Sequence, residues 1–199
     1  VYNLVDVVEG NCRYKQALIK DRNNPDLFLM PCAQTRDKTA VSPEQIIKLV
    51  DEMRADFDYI IIDSPAGIEK GFFNAIKNAK EAIVVLTLDK TSLRDGDKVI
   101  GLLKNNQIND IKLVINRYNK RDESQLSLAE VERIMDVEII AKIPESKDIK
   151  SEQNYGLLIT KNSDADIAFK NLSNKILGKE EVISKPNFMS RFIKTLSKS

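Results

Sequence analysis

Histidine is absent from this 199-residue sequence, and cysteine occurs only twice, as Cys12 and Cys32. Without an imidazole, the chain cannot form a zinc site of the usual Cys/His kind or a catalytic triad that relies on a histidine base. Two cysteines that lie apart are more typical of a reducing cytoplasm than of a disulfide framework. We therefore expect a cytoplasmic protein whose chemistry uses neither group.

The sequence also lacks an excess of charge of either sign, and it has no long apolar run. The formal net charge is +1, so no overall basic field predicts a nucleic-acid partner. No apolar run approaches the ~20 residues that a bilayer-spanning helix requires. The length fits a single domain that can bury a substantial core.

Glycine is scarce, and none of the seven glycines belongs to a phosphate-binding loop. Such a loop reads Gly-x-x-x-x-Gly-Lys-Ser/Thr. Only Gly96 and Gly101 have that spacing, and Leu102 and Leu103 follow them instead of Lys and Ser/Thr. A Gly-x-Gly-x-x-Gly motif is also lacking. The 199 residues therefore contain no cradle for the phosphates of a nucleotide.

Residues 58–63 form an apolar run that ends in a carboxylate. Four apolar residues precede Asp63, and Ser-Pro-Ala-Gly follows it. An unalternated run bounded by turn residues predicts a strand buried on both faces of a parallel sheet. Open α/β sheets bind ligands at the carboxyl ends of their strands, where a carboxylate commonly holds Mg²⁺ beside a nucleotide phosphate. The local pattern leaves open the alternative that Asp63 only caps the next turn.

Strand and helix patterns alternate along the rest of the chain. We predict strands at 26–31, 58–63, 81–88, 111–116 and 138–143, and helices at 1–10, 13–20, 42–53, 71–79, 92–103, 128–135 and 167–177. Ser42 as N-cap, Pro43 and Gln45 start the third helix, and Gly178 ends the last one. This rhythm predicts an α/β fold with a predominantly parallel twisted sheet and helices on both faces.

The C-terminal end is basic and amphipathic. On a 3.6-residue period one face carries the apolar side chains, and the other is basic, with no acid after Glu181. The apolar residues are Phe188, Met189, Phe192, Ile193 and Leu196, and the basic ones are Arg191, Lys194 and Lys198. We predict a domain at 1–178, a linker at 179–186 and a helix at 187–199 that binds an anionic membrane surface. The alternative is a tail that packs on its own domain.

Residues 63–69, Asp-Ser-Pro-Ala-Gly-Ile-Glu, resemble the Walker B and switch II segment of the MinD family, which belongs to the deviant Walker A ATPases. Further segments resemble the family in the same order and at roughly its spacing. They are 16–21 (Gln-Ala-Leu-Ile-Lys-Asp), 34–38 (Gln-Thr-Arg-Asp-Lys), 92–95 (Ser-Leu-Arg-Asp), 116–119 (Asn-Arg-Tyr-Asn) and 143–145 (Ile-Pro-Glu). The resemblance covers nearly the whole chain.

The resemblance implies a role for particular residues. Asp63 would orient Mg²⁺ through water, and the turn from Ser64 to Gly67 would sense the γ-phosphate of ATP. Asn116 would bind the adenine edge with Arg117 beside it, and Pro144 and Glu145 would form part of the base pocket. Ser92, Arg94 and Asp95 fall where the family meets its partner proteins. By themselves they are typical of an N-cap and of charges near a helix start, and Asn116 of a strand-end cap.

The resemblance also implies a function. Such a protein is an ATP-dependent homodimer, peripheral on the inner face of the cell membrane, that recruits a MinC-like septum inhibitor and is released by a MinE-like stimulator of hydrolysis. The alternatives are a flagellar-number or chromosome-partitioning ATPase of the same family, and, more remotely, a phosphoacceptor receiver domain. Because the family's phosphate loop is lacking, we expect an N-terminally incomplete chain, or a paralogue that lost the loop. In either case these 199 residues alone should not hydrolyse ATP.

Overall fold

The computed structural model describes residues 2–32, 41–65, 67–122, 126–146, 149, 152 and 163–180. The chain divides into two compact units, 1–80 and 81–199. The predicted membrane helix at 187–199, most of the predicted linker and the segment 34–38 lie outside the described residues. Within those residues, none of the helices has both the length and the apolarity that a bilayer crossing requires.

The first unit consists of short helices and one small hairpin. Its elements are α1 (Leu4–Val8), α2 (Tyr14–Ala17), β1 (Ile19–Lys20), β2 (Phe28–Leu29), α3 (Pro43–Met53) and α4 (Lys70–Ile76). β1 and β2 pair antiparallel, with Ile19 opposite Leu29. The predicted helix 13–20 is therefore wrong beyond Ala17, because Leu18 is already extended and leads into β1.

Helix α3 begins as its sequence predicts. The Ser42 hydroxyl accepts a hydrogen bond from the Gln45 N–H at 3.3 Å, and the Gln45 side chain accepts one from the Ser42 N–H at 2.8 Å. Pro43 occupies the first turn, where it needs no hydrogen-bond donor. The buried face of α3 contributes Leu49 and Met53 to a cluster with Tyr14, which is the core of this unit.

The second unit is a three-stranded parallel sheet with helices between and after its strands. Its elements are β3 (Glu81–Leu86), α5 (Lys90–Asn105), β4 (Asp110–Tyr118), α6 (Leu128–Met135), β5 (Ile139–Pro144) and α7 (Asp164–Ile176). The strand order is β3-β4-β5. The parallel α/β class predicted from the sequence is confirmed.

Helices cover both faces of this sheet. On one face Leu86 lies opposite Ile115 in register and packs directly under Gly96 of α5. On the other face Val114, Ile140 and Ile143 form a cluster against which Ala168 and Leu172 of α7 pack. Adjacent residues of a strand point to opposite faces, which places α5 and α7 on opposite sides. The predicted two-sided covering is confirmed for β4, the central strand.

The predicted strand at 58–63 is wrong. These residues form no ladder with any strand in the described part of the chain, and Ile61 is 90% exposed. A strand is stabilised by hydrogen bonds to a neighbouring strand, so an apolar pattern without such a neighbour does not make one. β3 shows a related departure, because Val85 on one of its faces is 58% exposed although a strand buried on both faces was predicted.

Candidate functional site

The carboxyl end of β4 carries a residue in a strained backbone conformation. Arg117 has φ +52°, in the left-handed region that non-glycine residues rarely adopt. The Asn116 side-chain oxygen accepts a hydrogen bond from the Arg117 N–H at 2.9 Å. This bond satisfies the backbone donor at the register irregularity between Ile115 and Tyr118 of β4.

The carboxyl end of β5 lies directly beside it. Pro144 is the register partner of Tyr118, and the Glu145 N–H donates to the Tyr118 carbonyl at 3.0 Å. The four residues predicted to hold the adenine are therefore brought together by two neighbouring strand ends, the position at which open α/β sheets bind ligands. That they hold adenine stays a prediction.

Two further residues at this edge, Tyr118 and Lys142, were not predicted from the sequence. The Lys142 ammonium lies 6.0 Å from the centre of the Tyr118 ring, within reach of a cation–π contact. Both belong to segments that resemble the MinD family or adjoin one, since Tyr118 follows Asn116 by two residues and Lys142 precedes Pro144 by two. Side chains two apart on a strand point to the same face. That spacing is the signal that could have indicated them.

Asp63 belongs to the first unit and is exposed. Within the described ranges no hydrogen bond or ion pair involves its carboxylate. Beyond it, the Ser64 hydroxyl donates to the Pro65 carbonyl at 3.3 Å, and Gly67 has φ +90°, a conformation that favours glycine. The structure thus presents Asp63 at the start of an exposed turn, but at the end of a loop rather than of a strand.

The residue type of Ser92 had indicated an N-cap, but Ser92 is not the N-cap of α5. Asp89 caps α5 by accepting from the Ser92 N–H at 2.9 Å, and the Ser92 hydroxyl accepts from the Thr87 N–H at 3.0 Å. The Thr87 hydroxyl and the Ser92 N–H both stabilise ionised Asp89, which lowers the pKa of that carboxyl. Arg94 and Asp95 are exposed, and Asp95 also contacts Lys98 at 3.3 Å.

A surface pocket of about 410 Å³ lies elsewhere on the first unit. It is lined by Arg13, Tyr14, Lys15, Gln16, Glu52 and Asp56, none of which was predicted to bind nucleotide. The Asp56 carboxylate accepts a hydrogen bond from the Tyr14 hydroxyl and pairs with the Lys15 ammonium at 2.7 Å. These groups satisfy one another, so we interpret the cluster as a structural contact between α2 and the end of α3.

Mg²⁺ and ATP fit these residues only in part. No group of three or more carboxylate, cysteine or histidine ligands occurs in the described part of the chain. A divalent ion beside Asp63 would therefore need further ligands from water or phosphate. The strand ends at Asn116 and Pro144 lie side by side where a base is predicted to bind, whereas the sequence supplies no loop for the phosphates.

No protein-family model matches the chain. Individual relatives do. The chain is 40% identical over 185 residues to the septum site-determining protein MinD of Bacillus subtilis. The aligned region covers 89% of this chain and 69% of that protein. The chain belongs to the MinD family.

The fold agrees with this family. MinD of Aquifex aeolicus superimposes with a TM-score of 0.82 at 33% identity, over 94% of this chain and 78% of that one. The MinD-family chain also matches a MinC:MinD complex of the same organism, with a TM-score of 0.84 at 32% identity over 94% and 77% of the two chains. It is thus a MinD-type protein of division-site determination. The flagellar-number, partitioning and receiver interpretations are not supported by these relatives.

Proposed function

We propose that this chain serves in an ATP-dependent membrane-binding switch that positions the division septum by recruiting a septum inhibitor. Membership of the MinD family supports the division-site role. The observation that carries the nucleotide part is the placement of Asn116 and Arg117 beside Pro144 and Glu145 at adjoining strand ends. ATP and Mg²⁺ are the proposed ligands, and this arrangement supports the adenine part of ATP.

The proposed base site uses the side chain of Asn116 in two directions. Its oxygen accepts from the Arg117 N–H, which leaves its amide N–H groups to donate to a ring nitrogen of adenine. Pro144 supplies an apolar wall, and the Arg117 guanidinium can stack on the base. Asp63 would meet the magnesium ion through water, and Ser64 and Gly67 would meet the γ-phosphate.

Replacing Asn116 tests the base site. We expect Asn116→Ala to weaken the binding of ATP about 10-fold, because a lost hydrogen bond in such a site costs about 1.4 kcal/mol. Saturation-transfer difference NMR on the 199-residue chain is suited to weak binding and should show the adenine protons closest to the protein. Asn106→Ala is the matched control, since that amide only donates to the Leu102 carbonyl at 2.8 Å.

An unchanged affinity in Asn116→Ala, or an equal loss in Asn106→Ala, would move the base site away from these strand ends. The same samples should show no ATP turnover above the spontaneous rate, because the sequence offers no phosphate loop. Measurable hydrolysis by the 199 residues would contradict the proposal that the phosphates need a loop from outside them.

Membrane attachment is proposed for the tail at 187–199. Twelve or so residues are marginal as an isolated helix, so the tail should order only on a bilayer. One copy binds weakly, and a dimer joins two copies at high effective concentration. The protein's partners follow from the same proposal: the exposed start of α5 at Arg94 and Asp95 would meet a MinC-like inhibitor and a MinE-like stimulator.

Phe192→Glu tests this tail. In a fusion that places a phosphate-loop segment before the chain, we expect sedimentation with anionic vesicles only with ATP, and its loss in Phe192→Glu, because the charge falls on the apolar face. Ser190→Glu adds the same charge on the polar side and should retain most of the binding. Binding without ATP, or equal effects of the two substitutions, would contradict the attachment model.

A further inference from the structure

Side-chain amides join helix α4 to helix α3. The Asn74 amide donates to the Val41 carbonyl at 3.0 Å, just before α3 begins. The Asn78 amide donates to the Ile47 carbonyl at 3.4 Å and to the Asp51 carboxylate at 3.0 Å. These bonds connect residues 27 to 33 positions apart in the chain. They therefore fix the packing of the two helices rather than the helices themselves.

Arg54 closes a ring around Asn78. Its guanidinium donates to the Asp51 carboxylate at 3.3 Å and to the Asn78 carbonyl at 3.4 Å. Asn78 thus bonds through its side chain and its backbone to one stretch of α3 and the turn after it. The three side chains are partly accessible to water, which keeps the strength of each bond modest.

The opposite end of α4 touches the exposed turn after Asp63. Gly71 lies so close to Pro65 that a Cβ on Gly71 would be 2.8 Å from the Pro65 Cγ. The N-cap of α4, Glu69, makes no side-chain capping bond. With seven residues, α4 is too short to persist by itself, so its tertiary contacts decide where it lies. The position of α4 in turn limits where Pro65 can lie.

We propose that Asn74 and Asn78 form an amide latch that holds α4 on α3 and thereby positions the turn that contains Ser64, Pro65 and Gly67. They are positioning residues, since they act on the turn through Gly71 and Pro65. The significance of the latch for catalysis rests on the proposed function, in which this turn senses the γ-phosphate.

Asn74 lies within α4, and Asn78 lies in the turn that follows the C-cap of α4 at Lys77. Ile76 and Phe72, which are buried, alternate with them. Asparagine is a poor helix former, and the presence of Asn74 in this short helix is explained by the Val41 carbonyl that it meets. The hydrogen bonds of the latch therefore account for these asparagines, whereas helix propensity does not.

Glycine-selective NMR tests the latch in the full chain without nucleotide. A sample labelled with ¹⁵N-glycine gives one backbone signal for each of the seven glycines. Gly67 and Gly71 report on the turn and α4, and Gly96 reports on α5 in the other unit. We expect Asn74→Ala and Asn78→Ala to shift or broaden the Gly67 and Gly71 signals and to leave Gly96 unchanged.

Hydrogen exchange measures how strongly the two asparagines protect helix α4. Loss of both asparagines should speed amide exchange in 70–76 about 10-fold, whereas exchange in 110–118 stays within about twofold. In the double variant Asp51→Asn/Asn78→Asp the two residue types are swapped, so a donor and an acceptor still face each other. This variant should recover part of the protection of the 70–76 amides against exchange. Asn106→Ala, which removes an amide-to-carbonyl bond on α5, is the matched control and should not move Gly67 or Gly71.

Two results would overturn the latch. One is unchanged Gly67 and Gly71 signals in both single variants. The other is faster exchange by the same factor throughout both units, which would mean that the asparagines only add global stability. If the double Ala variant loses its fold, the single variants and the swapped variant Asp51→Asn/Asn78→Asp decide whether the asparagines position the turn. Because no nucleotide is present, failure of the latch is separate from failure of the proposed function.

Discussion

Single residues set the local electrostatics of this protein more than any extended field does. Asp56 illustrates this, because one carboxylate receives the Tyr14 hydroxyl and the Lys15 ammonium. The bond to Lys15, followed by the bond to Tyr14, lowers the pKa of Asp56 below its usual range. The same carboxylate raises the pKa of Tyr14, chiefly by hydrogen bonding to the neutral phenol.

The pH dependence of stability follows from the sign of the Asp56 shift. A carboxyl whose pKa is lower in the folded chain stabilises the fold above its unfolded pKa, about 3.9, and loses that contribution as the pH falls through the folded value. We expect Asp56→Asn to flatten the acid side of the stability curve below about pH 4, measured by urea unfolding against pH. Asp95→Asn, in an exposed pair with Lys98, is the control. A steepened or unchanged acid limb in Asp56→Asn would contradict the assignment.

Elements pack closely where a glycine permits it. Helix α5 lies on β3 with Gly96 above Leu86, and a Cβ on Gly96 would be 2.5 Å from the nearest Leu86 methyl. Gly101, on the same helix, has no heavy atom within 4 Å of the corresponding position. The two glycines therefore differ only in what surrounds them.

Opposite stability changes should follow from this difference. Gly101→Ala should stabilise the chain by about 0.5–1 kcal/mol through helix propensity alone. Gly96→Ala gains the same propensity but adds overpacking of about 1–3 kcal/mol against buried Leu86, so we expect net destabilisation. Urea midpoints of the two variants test this, and Leu86→Val should relieve the strain in Gly96→Ala. Equal effects of the two alanines would show that α5 does not pack closely on β3.

At the scale of the whole molecule, apolar surface remains uncovered. Val85 is exposed on one face of β3, and β3 has β4 as its one strand neighbour among the described residues. An open strand edge with apolar side chains favours association between chains. This surface is unusual beside the well-covered strands β4 and β5.

Self-association should therefore depend on β3. We expect the 199-residue chain to associate with rising concentration, and Val85→Lys to reduce that association, because a charge on an edge strand opposes pairing. Light scattering after size exclusion measures the effect. Ile134→Lys, at an exposed position on α6, adds the same charge away from the sheet. An equal reduction by both substitutions would assign the effect to net charge instead.

The candidate site shows why sequence analysis reached only part of the answer. Asn116, Arg117, Pro144 and Glu145 were predicted from the resemblance to the MinD family, and they lie together because strands of one parallel sheet end at the same edge. Tyr118, Lys142, Asn74 and Asn78 were not predicted. The spacing of two residues from Asn116 and Pro144 could have indicated Tyr118 and Lys142, but no local pattern encodes that these two side chains contact each other across 24 positions. The carbonyls that Asn74 and Asn78 meet lie 33 and 31 residues away and are equally invisible to a local pattern.

The sequence by itself determined the start of α3, the apolar strands of the parallel sheet and the absence of a phosphate loop. Those features depend on spacing within a few residues, as the Ser42 and Gln45 capping pair shows. Tertiary structure alone decided that 58–63 is not a strand and that Asp63 lies within the irregular segment between α3 and α4. A strand depends on hydrogen bonds to a neighbour, which belong to another part of a fold and cannot be supplied by the apolar run itself.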